Sequence, residues 1–474
     1  MQNDELVWRL VDRKQEPFIA LSDRVWGIPE LCYAEHRSCA EHTAMLEREG
    51  FRVTPNVAGI PTAVMGEAGE GGPVIAILGE YDALPGLSQE AGVAEPRAAE
   101  PGGNGHGCGH NLLGAASLLA ATAVKDWLAE TGTKGRVRYY GCPAEEGGAA
   151  KGFMVRDGAF DDVAIAISWH PAAFSGVNDP RSLANTRIDF SFKGRASHAA
   201  AAPHLGRSAL DAVELMNVGV NYMREHMPSD ARVHYALLDA GGIAPNVVQA
   251  NAKVRYLIRA RNLPELTRLV DRVIKIARGA ALMTETEMVS RVVSAVSNLL
   301  GNAPLERVMH DNLARLGPPP FDEADRALAQ QFQATLSDED IDAAYRRCGI
   351  QREGDTPLCD AIVPLEAKGE GMGGSTDVGD VSWAVPTVQA RGATYAIGTP
   401  GHSWQLTAQG KTGAAHKGLV HVAKVMAGTA VDAIRDQAML ARAEAEHRAT
   451  LARTPYVSPL PPEAKPMLEM SAKG

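Results

Sequence analysis

One short segment, "GHGCGHN" at 105–111, combines metal-binding side chains with several glycines. Cys108 and His110 stand two positions apart, and thiolate and imidazole are both ligands of transition metals. The apolar run "LLGAASLLAATAV" follows directly and predicts a helix that begins at this loop. The segment is therefore a candidate metal site at the start of a helix.

Further polar side chains follow predicted strands at the points where the strands end. The runs "AILG", "RVRYYG", "VAIAISW" and "TYAIG" precede, in turn, Glu80 and Asp82, Glu145 and Glu146, His170, and His402. In open α/β sheets, ligand sites form beyond the carboxyl ends of the strands. A thiolate, imidazoles and carboxylates that converge there form the ligand set of zinc or manganese rather than calcium.

Each of these residues also has a simpler interpretation. Cys108 beside an apolar helix fits core packing, since free cysteine is among the most buried residue types. The adjacent acids Glu145 and Glu146 fit an exposed loop, and His170 fits a buried histidine bonded to backbone. Their joint occurrence at strand ends is what favours a metal site.

The elements that must position these residues change in character along the chain. Up to about residue 183, short β-branched runs alternate with helical stretches, which predicts an α/β fold with a mixed, mostly parallel sheet and helices on both faces. The next part reads as strand, helix, two strands, helix and strand, a ferredoxin-like βαββαβ unit inserted into the first domain. We predict a catalytic domain in two parts, 1–184 and 301–448, an inserted lid or dimerisation domain at 185–300, and a C-terminal tail at 449–474.

Composition limits the classes of partner. The 474 residues carry 47 basic and 57 acidic side chains, a formal charge of −10, and no basic patch that indicates nucleic acid or an anionic membrane. The apolar run at 112–124 is short for a membrane span. The six cysteines show no paired framework and are expected to be reduced, so we predict a cytoplasmic protein with small molecules or other proteins as partners.

Several motifs together resemble a known family. "GEYDALPG", "GHGCGHN", "PAEEGGAAKGFM", "SWHP", "GGSTDVGDVSW" and "GTPGHSWQ" occur in this order over nearly the whole chain. The combination resembles the dinuclear metallo-amidohydrolases that include aminoacylases and glutamate carboxypeptidases, and is most similar to their B-type subunits that act on p-aminobenzoyl-glutamate. The resemblance implies hydrolysis of the amide of an N-acyl or N-aroyl amino acid, with p-aminobenzoyl-glutamate as the first substrate to expect.

The resemblance also implies a role for individual residues at the metal centre. Glu145 matches the general base, and Asp82 matches an acid behind the metals that orients a ligand. Two divalent ions, Mn²⁺ or Zn²⁺, are implied, with these metal ligands: Cys108, His110, Glu146, His170 and His402. His106 lies in the same motif but matches no ligand position.

Other residues match positions that contact the substrate in the family. His198 and Asn246 match lid residues that stabilise the oxyanion, with His204 as a rival to His198. Arg259 matches a position that binds the substrate's α-carboxylate, although Arg255, Arg259 and Arg261 also fit one solvated strand face. Ser375, in the glycine-rich segment 373–380, matches a substrate-lining position together with Thr376 and Asp377.

The resemblance implies a homodimer or a heteromer with a homologous A-type subunit. Relatives with similar motifs act on indoleacetyl-aspartate or β-alanyl dipeptides, which gives the alternative substrates. A non-catalytic partner subunit and a structural zinc protein are the alternatives outside this class. Retention of Glu145 argues against the first, and the surplus of carboxylates over cysteines argues against the second.

Overall fold

Two β-sheets form the framework of the computed structural model, which describes residues 2–370 and 374–473. The strands are β1 (Arg52–Pro55), β2 (Val64–Glu70), β3 (Val74–Glu80), β4 (Gly135–Cys142), β5 (Ile165–Ala172), β6 (Gly176–Val177), β7 (Ala184–Lys193), β8 (Arg232–Asp239), β9 (Asn251–Ala260), β10 (Glu287–Val296) and β11 (Thr387–Ala393). The first sheet has the order β1-β2-β4-β3-β5-β11-β6, and the second has the order β10-β7-β9-β8.

Helices connect the strands and cover the sheets. They are α1 (Gln2–Trp26), α2 (His36–Arg48), α3 (His110–Thr131), α4 (Ala150–Arg156), α5 (Ala209–Met223), α6 (Leu263–Thr284), α7 (Ala303–Leu316), α8 (Glu323–Gln333), α9 (Asp338–Cys348), α10 (Val378–Ala384), α11 (Trp404–Gln409), α12 (Gly413–Arg435) and α13 (Gln437–Arg453).

The centre of the first sheet is parallel. Strand β3 pairs in parallel with β4 and β5, and β5 with β11, whereas β1, β2 and β6 add antiparallel pairs at the edges. Every residue of β3 is buried, as expected for a strand covered on both faces. Ile75 and Ile77 belong to the core under α3 and α12, while Ala76 and Leu78 belong to a core on the other face. The predicted α/β class with a mostly parallel mixed sheet is confirmed.

The second sheet is antiparallel and has its own core. Its elements follow the order strand, helix, strand, strand, helix, strand from β7 to β10. Phe190, Met216, Tyr256 and Leu269 are buried together between the sheet and its two helices. The roles of this unit as lid and in dimerisation, and the domain boundaries, remain predictions.

The C-terminal residues lie against the first domain. Helix α13 continues to Arg453, beyond the predicted boundary at 448. After it, Tyr456 donates a hydrogen bond to the Oδ1 atom of Asp380 over 3.1 Å, and Leu460 is buried. Nη1 of Arg156 donates a hydrogen bond to the backbone carbonyl of Ala464 over 2.6 Å. The segment predicted as a tail therefore contributes to the core beside α4 and α10.

Helix α3 is the apolar element that follows the cysteine-histidine loop. Among the described residues it is the one helix whose length and composition would suffice to cross a membrane, and 83% of its apolar window is buried inside the protein. That burial identifies it as the central helix of the core, packed on the parallel strands.

Candidate metal centre

The parallel strands bring the candidate residues to one edge of the first sheet. β3 ends at Glu80, which lies opposite Cys142 at the end of β4. His170 lies near the end of β5, paired with Arg391 of β11. The helix α3 begins at His110, after Gly109 with a φ of 77°. Glycine adopts this left-handed conformation without strain, which allows Cys108 and His110 to face the same strand ends.

Two clusters of potential ligands share the Cys108 thiol. Cys108, His110 and His170 place one ligand atom each within 4.8 Å of one another, and so do Cys108, Glu146 and His402. The Sγ atom of Cys108 lies 3.4 Å from Nε2 of His170, and Nε2 of His402 lies 3.1 Å from Oε1 of Glu146. The five predicted ligands therefore lie in two groups that have Cys108 in common, and each group could hold a cation.

Unpartnered polar atoms test whether this arrangement fits cations. The buried atoms Oε2 of Glu80, Nε2 of His110 and Oε1 of Glu146 have no hydrogen-bond partner. A buried acceptor without a partner costs roughly 1–3 kcal/mol. Divalent cations in the two clusters would satisfy Nε2 of His110 and Oε1 of Glu146, so the residues present fit the pair of ions that the family resemblance implies.

Asp82 connects the two clusters. Its Oδ1 atom accepts a hydrogen bond from Nδ1 of His110 over 2.8 Å, and its Oδ2 atom accepts one from the backbone amide of Glu146 over 2.8 Å. Burial acts to raise the pKa of Asp82, but the neighbouring His110 outweighs it and holds that pKa below its usual value. A permanent carboxylate thus fixes His110 with Nε2 directed away from Asp82, the orientation that a metal-binding imidazole needs.

The adjacent acids Glu145 and Glu146 differ in their ionisation. Burial and then the charge of Glu146 raise the pKa of Glu145 well above its usual value. For Glu146, burial is again the largest influence, but the neighbouring His402 and the charge of His110 hold the pKa below its usual value. Glu145 is therefore suited to accept a proton near neutrality, and Glu146 to remain an anionic ligand.

The loop that carries both acids is fixed from the N-terminal part of the chain. Ala144, immediately before Glu145, has a φ of 57°, a conformation that is uncommon outside glycine. Its amide donates to Oε1 of the fully buried Glu35 over 2.8 Å. The hydroxyl of Tyr33 donates to the carbonyl of Gly148 over 2.8 Å. Neither residue was predicted from the sequence, in which a lone acid at 35 in "LCYAEHR" was the available signal.

Lys151 is a further residue that the sequence analysis did not identify, although it lies within the quoted motif "PAEEGGAAKGFM". The side chain is fully buried, and its Nζ atom lies 2.6 Å from Oε1 of Glu80 and 2.6 Å from Oδ1 of Asp377. The ion pairs join the strand end of β3 to the glycine-rich segment. Gly373, which begins that segment, lies outside the described residues.

The predicted oxyanion residues lie on the second unit and outside the two ligand clusters. His198 is exposed, and its Nδ1 atom accepts from the amides of Ala200 and Ala201 over 3.2 and 3.1 Å. Asn246 is also exposed, and its backbone carbonyl accepts a hydrogen bond from the amide of Ala199 over 3.0 Å. The two residues are thus close neighbours on one exposed surface. Their role, and the choice between His198 and His204, remain predictions.

The three arginines on β9 and just after it differ in their partners. Arg255 pairs with Asp189 over 2.7 Å, and Arg261 lies 3.2 Å from Asp230. Within the part of the chain that the structure describes, no carboxylate lies within ion-pair distance of Arg259, whose Nε atom is buried without a partner. A single solvated strand face therefore does not describe all three.

Arg187, Ser375 and His106 differ in their polar contacts. Arg187 of β7 donates to the carbonyl of Gly147 over 3.1 Å, a contact between the second sheet and the loop of Glu146 that the sequence analysis missed. The Oγ atom of Ser375 is buried without a hydrogen-bond partner among the described residues. His106, as predicted from the motif, is not in either ligand cluster; its Nε2 atom lies 3.0 Å from the carbonyl of Val25.

Comparisons with known proteins agree with this geometry. Residues 76–356 match the family described as "Peptidase family M20/M25/M40". The B-type subunit of p-aminobenzoyl-glutamate hydrolase from Escherichia coli is 47% identical over 466 residues, which cover 96% of this chain and 97% of that protein. The Xaa-Arg dipeptidase of Mus musculus is 29% identical over 93% of this chain and 91% of its own length.

A solved structure has the same fold. A dinuclear metal binding peptidase of the M20 family from Bacillus subtilis superposes with a TM-score of 0.53 at 18% identity, over 86% of this chain and 98% of its own.

The contact between Glu35 and Ala144 generates a prediction. Glu35→Ala should lower kcat by roughly tenfold or more, because small misplacements of a catalytic group are costly. Glu35→Gln should retain most of the activity, since a carboxamide oxygen can still accept from Ala144. Steady-state kinetics on both variants, with melting temperatures as control, make the comparison. Equal losses of kcat in the two variants would contradict a role through this hydrogen bond.

Proposed function

Because the chain belongs to peptidase family M20/M25/M40 and is a metal-dependent hydrolase, we propose that its substrate is p-aminobenzoyl-glutamate, cleaved at the amide bond. The observation that carries the proposal is the half-buried Glu145, with its raised pKa, beside two ligand clusters that share Cys108. The relative with 47% identity, named for this substrate, supports the choice of the aroyl-glutamate.

The proposed mechanism assigns separate tasks to the residues at the strand ends. Held by the ligand clusters around Cys108, the ions would lower the pKa of the attacking water and polarise the scissile carbonyl. Glu145 takes the proton of this water on its carboxylate and delivers it to the leaving nitrogen, which becomes the amine of glutamate. Asp82 holds both His110 and the backbone of Glu146, so the base and the ligands keep a fixed relation to each other.

We assign Mn²⁺ or Zn²⁺ to the centre, because thiolate and imidazole ligands suit these ions. The proposed ligands are those that the family resemblance implies: Cys108, His110, Glu146, His170 and His402. A reducing, cytoplasmic location suits a thiol that must remain available, and all six cysteines are free in the structure.

Recognition of the glutamate is proposed for Arg259. A guanidinium binds a carboxylate through parallel hydrogen bonds, and the unpartnered Nε of Arg259 leaves this capacity unused in the described residues. The buried, unpartnered Oγ of Ser375 is a second polar contact for the substrate.

The oxyanion donors are proposed to act across a subunit boundary. His198 and Asn246 lie on an exposed surface of the second unit, and β8 is an edge strand with exposed Tyr235 and Leu237. Such an edge is a template for pairing with another chain. We propose a homodimer or a heteromer with an A-type subunit; the relative's designation as a B-type subunit supports the second form.

The first test of the function is release of p-aminobenzoate. Purified protein should hydrolyse p-aminobenzoyl-glutamate, lose this activity in chelator and regain it with Mn²⁺ or Zn²⁺. A parallel panel of N-acyl aspartates, β-alanyl dipeptides and dipeptides ending in arginine tests the alternative raised by the dipeptidase relative. Preference for the arginine dipeptides would overturn the proposed substrate, and full activity in metal-free protein would overturn the mechanism.

The adjacent acids give a paired prediction. Glu145→Gln should retain bound metal and lower kcat by roughly 10² or more, the scale of a lost general base. Glu146→Gln should instead lower metal affinity, because it removes an anionic ligand. Metal content and kcat measured on both variants decide the assignment. Exchange of the two phenotypes would show that the roles are reversed.

Arg259 should discriminate substrates by their carboxylate. Arg259→Ala should reduce kcat/KM for a glutamate amide by roughly 10- to 100-fold, since one charge-assisted pair is worth roughly 1.5–3 kcal/mol. The corresponding decarboxylated amide should be affected little. Arg261→Ala is the matched control, because Arg261 pairs with Asp230 at the same strand end. Equal losses on both amides in Arg259→Ala would exclude this role.

Subunit complementation tests the position of His198. His198→Ala should lower kcat far more than it raises KM, as expected for a contact made in the transition state. When inactive His198→Ala and Glu145→Gln chains exchange partners, a hybrid dimer contains one site with both residues, and activity should return. If the chains exchange and activity does not return, either His198 serves the active site of its own chain or His204 is the oxyanion donor.

A further inference from the structure

Glu80 is a buried acid at the metal centre to which neither the family ligand set nor the mechanism above gives a task. It is the last residue of β3 and only 2% exposed. One of its oxygens, Oε1, lies 2.6 Å from Nζ of Lys151. The other, Oε2, is buried and has no hydrogen-bond partner. One carboxylate oxygen thus accepts a hydrogen bond from Lys151, and the other has no hydrogen-bond partner.

The unsatisfied oxygen faces an unsatisfied nitrogen. Oε2 of Glu80 lies 3.3 Å from Nε2 of His110, yet neither atom has a hydrogen-bond partner, so the contact is not an aligned hydrogen bond. Because Nδ1 of His110 donates to Asp82, Nε2 is the ring nitrogen left to bind a metal ion. A cation bound between the two atoms would give each of them a partner.

The distances suit such a cation. Metal–nitrogen and metal–oxygen bonds of zinc place neighbouring tetrahedral ligand atoms about 3.4 Å apart. The distance of 3.3 Å between Oε2 of Glu80 and Nε2 of His110 is close to this value. It is also close to the 3.4 Å between Sγ of Cys108 and Nε2 of His170. Glu80, His110 and Glu145 also form a third group of potential ligands within 4.8 Å of one another.

We infer that Glu80 is a further metal ligand, bound through Oε2 to the ion on the His110 side, with Lys151 holding its other oxygen. This inference rests on the dinuclear centre proposed above. Glu80 shares its group with His110 and Glu145, so it adds a ligand atom beside His110. The other side keeps three ligands, Cys108, Glu146 and His402, and His402 has a side chain that is 56% exposed. Catalytic sites keep an open position, so the exposed side is the one left for substrate.

The alternative is that Glu80 serves only as a counter-ion for Lys151. Asp377 provides the matched control, because it pairs with the same ammonium at the same distance of 2.6 Å and belongs to none of the ligand groups. Glu80→Gln and Asp377→Asn each remove one carboxylate from Lys151. Only the first removes a ligand atom, so metal binding separates the two explanations.

The experiment is equilibrium dialysis of the metal-free full chain against Zn²⁺ alone, with bound zinc counted by mass spectrometry. Wild type and Asp377→Asn should bind two ions per chain with similar affinities. Glu80→Gln should bind one of the two ions at least about 10²-fold more weakly, since even partners outside the ligand shell are worth 10–100-fold. Circular dichroism and melting temperatures show whether the variants fold.

Glu80→Asp protects the test against misfolding, because it keeps the charge beside Lys151 and is one methylene shorter. This variant should also bind one of the two ions more weakly, and its melting temperature should stay near that of wild type. Two ions bound with wild-type affinity in the folded Glu80 variants, or equal losses in Glu80→Gln and Asp377→Asn, would overturn the inference. Fewer than two ions on wild type would instead overturn the dinuclear centre, and this inference with it.

Discussion

The carboxylate of Asp82 is the constraint on which the arrangement of the centre depends. Its two oxygens are used for different parts of the chain, the imidazole of His110 at the start of α3 and the amide of Glu146 after β4. Loss of either bond would free one ligand to rotate while the other stayed fixed. The relation between the two ligand clusters is therefore set by a residue that belongs to neither of them.

Negative charge exceeds positive charge around this carboxylate. Burial acts against protonation of His110, but Cys108, Asp82 and Glu80 raise its pKa well above the usual value. Lys151 offsets part of the excess on one side, where it meets Glu80 and Asp377. Such a surplus of buried anions is unfavourable for an empty protein interior and favourable for one that binds divalent cations.

Much of this organisation could be predicted from sequence because it follows the period of the sheet. Acids and histidines placed directly after buried runs must meet at one edge when the strands are parallel, and Glu80, Glu146 and His170 do so. Glu35 and Lys151 follow no such rule. Glu35 binds an amide 109 positions away, and Lys151 meets Asp377 at a distance of 226 positions, so only the tertiary fold reveals them. The C-terminal segment was underestimated for a similar reason: its proline-rich composition conceals the few side chains, such as Leu460, that it buries.

The hydrogen bond from Arg187 to Gly147 has a geometric consequence for substrate length. Arg187 and Arg259 lie on neighbouring strands, and the register of β7 with β9 sets Asn185 opposite Arg259. One ladder of backbone hydrogen bonds therefore supports both the arginine proposed for the carboxylate and the arginine that touches the catalytic loop. If Arg259 binds the carboxylate, the sheet would fix the distance between that carboxylate and the loop of Glu145 and Glu146, because the spacing of paired strands is constant.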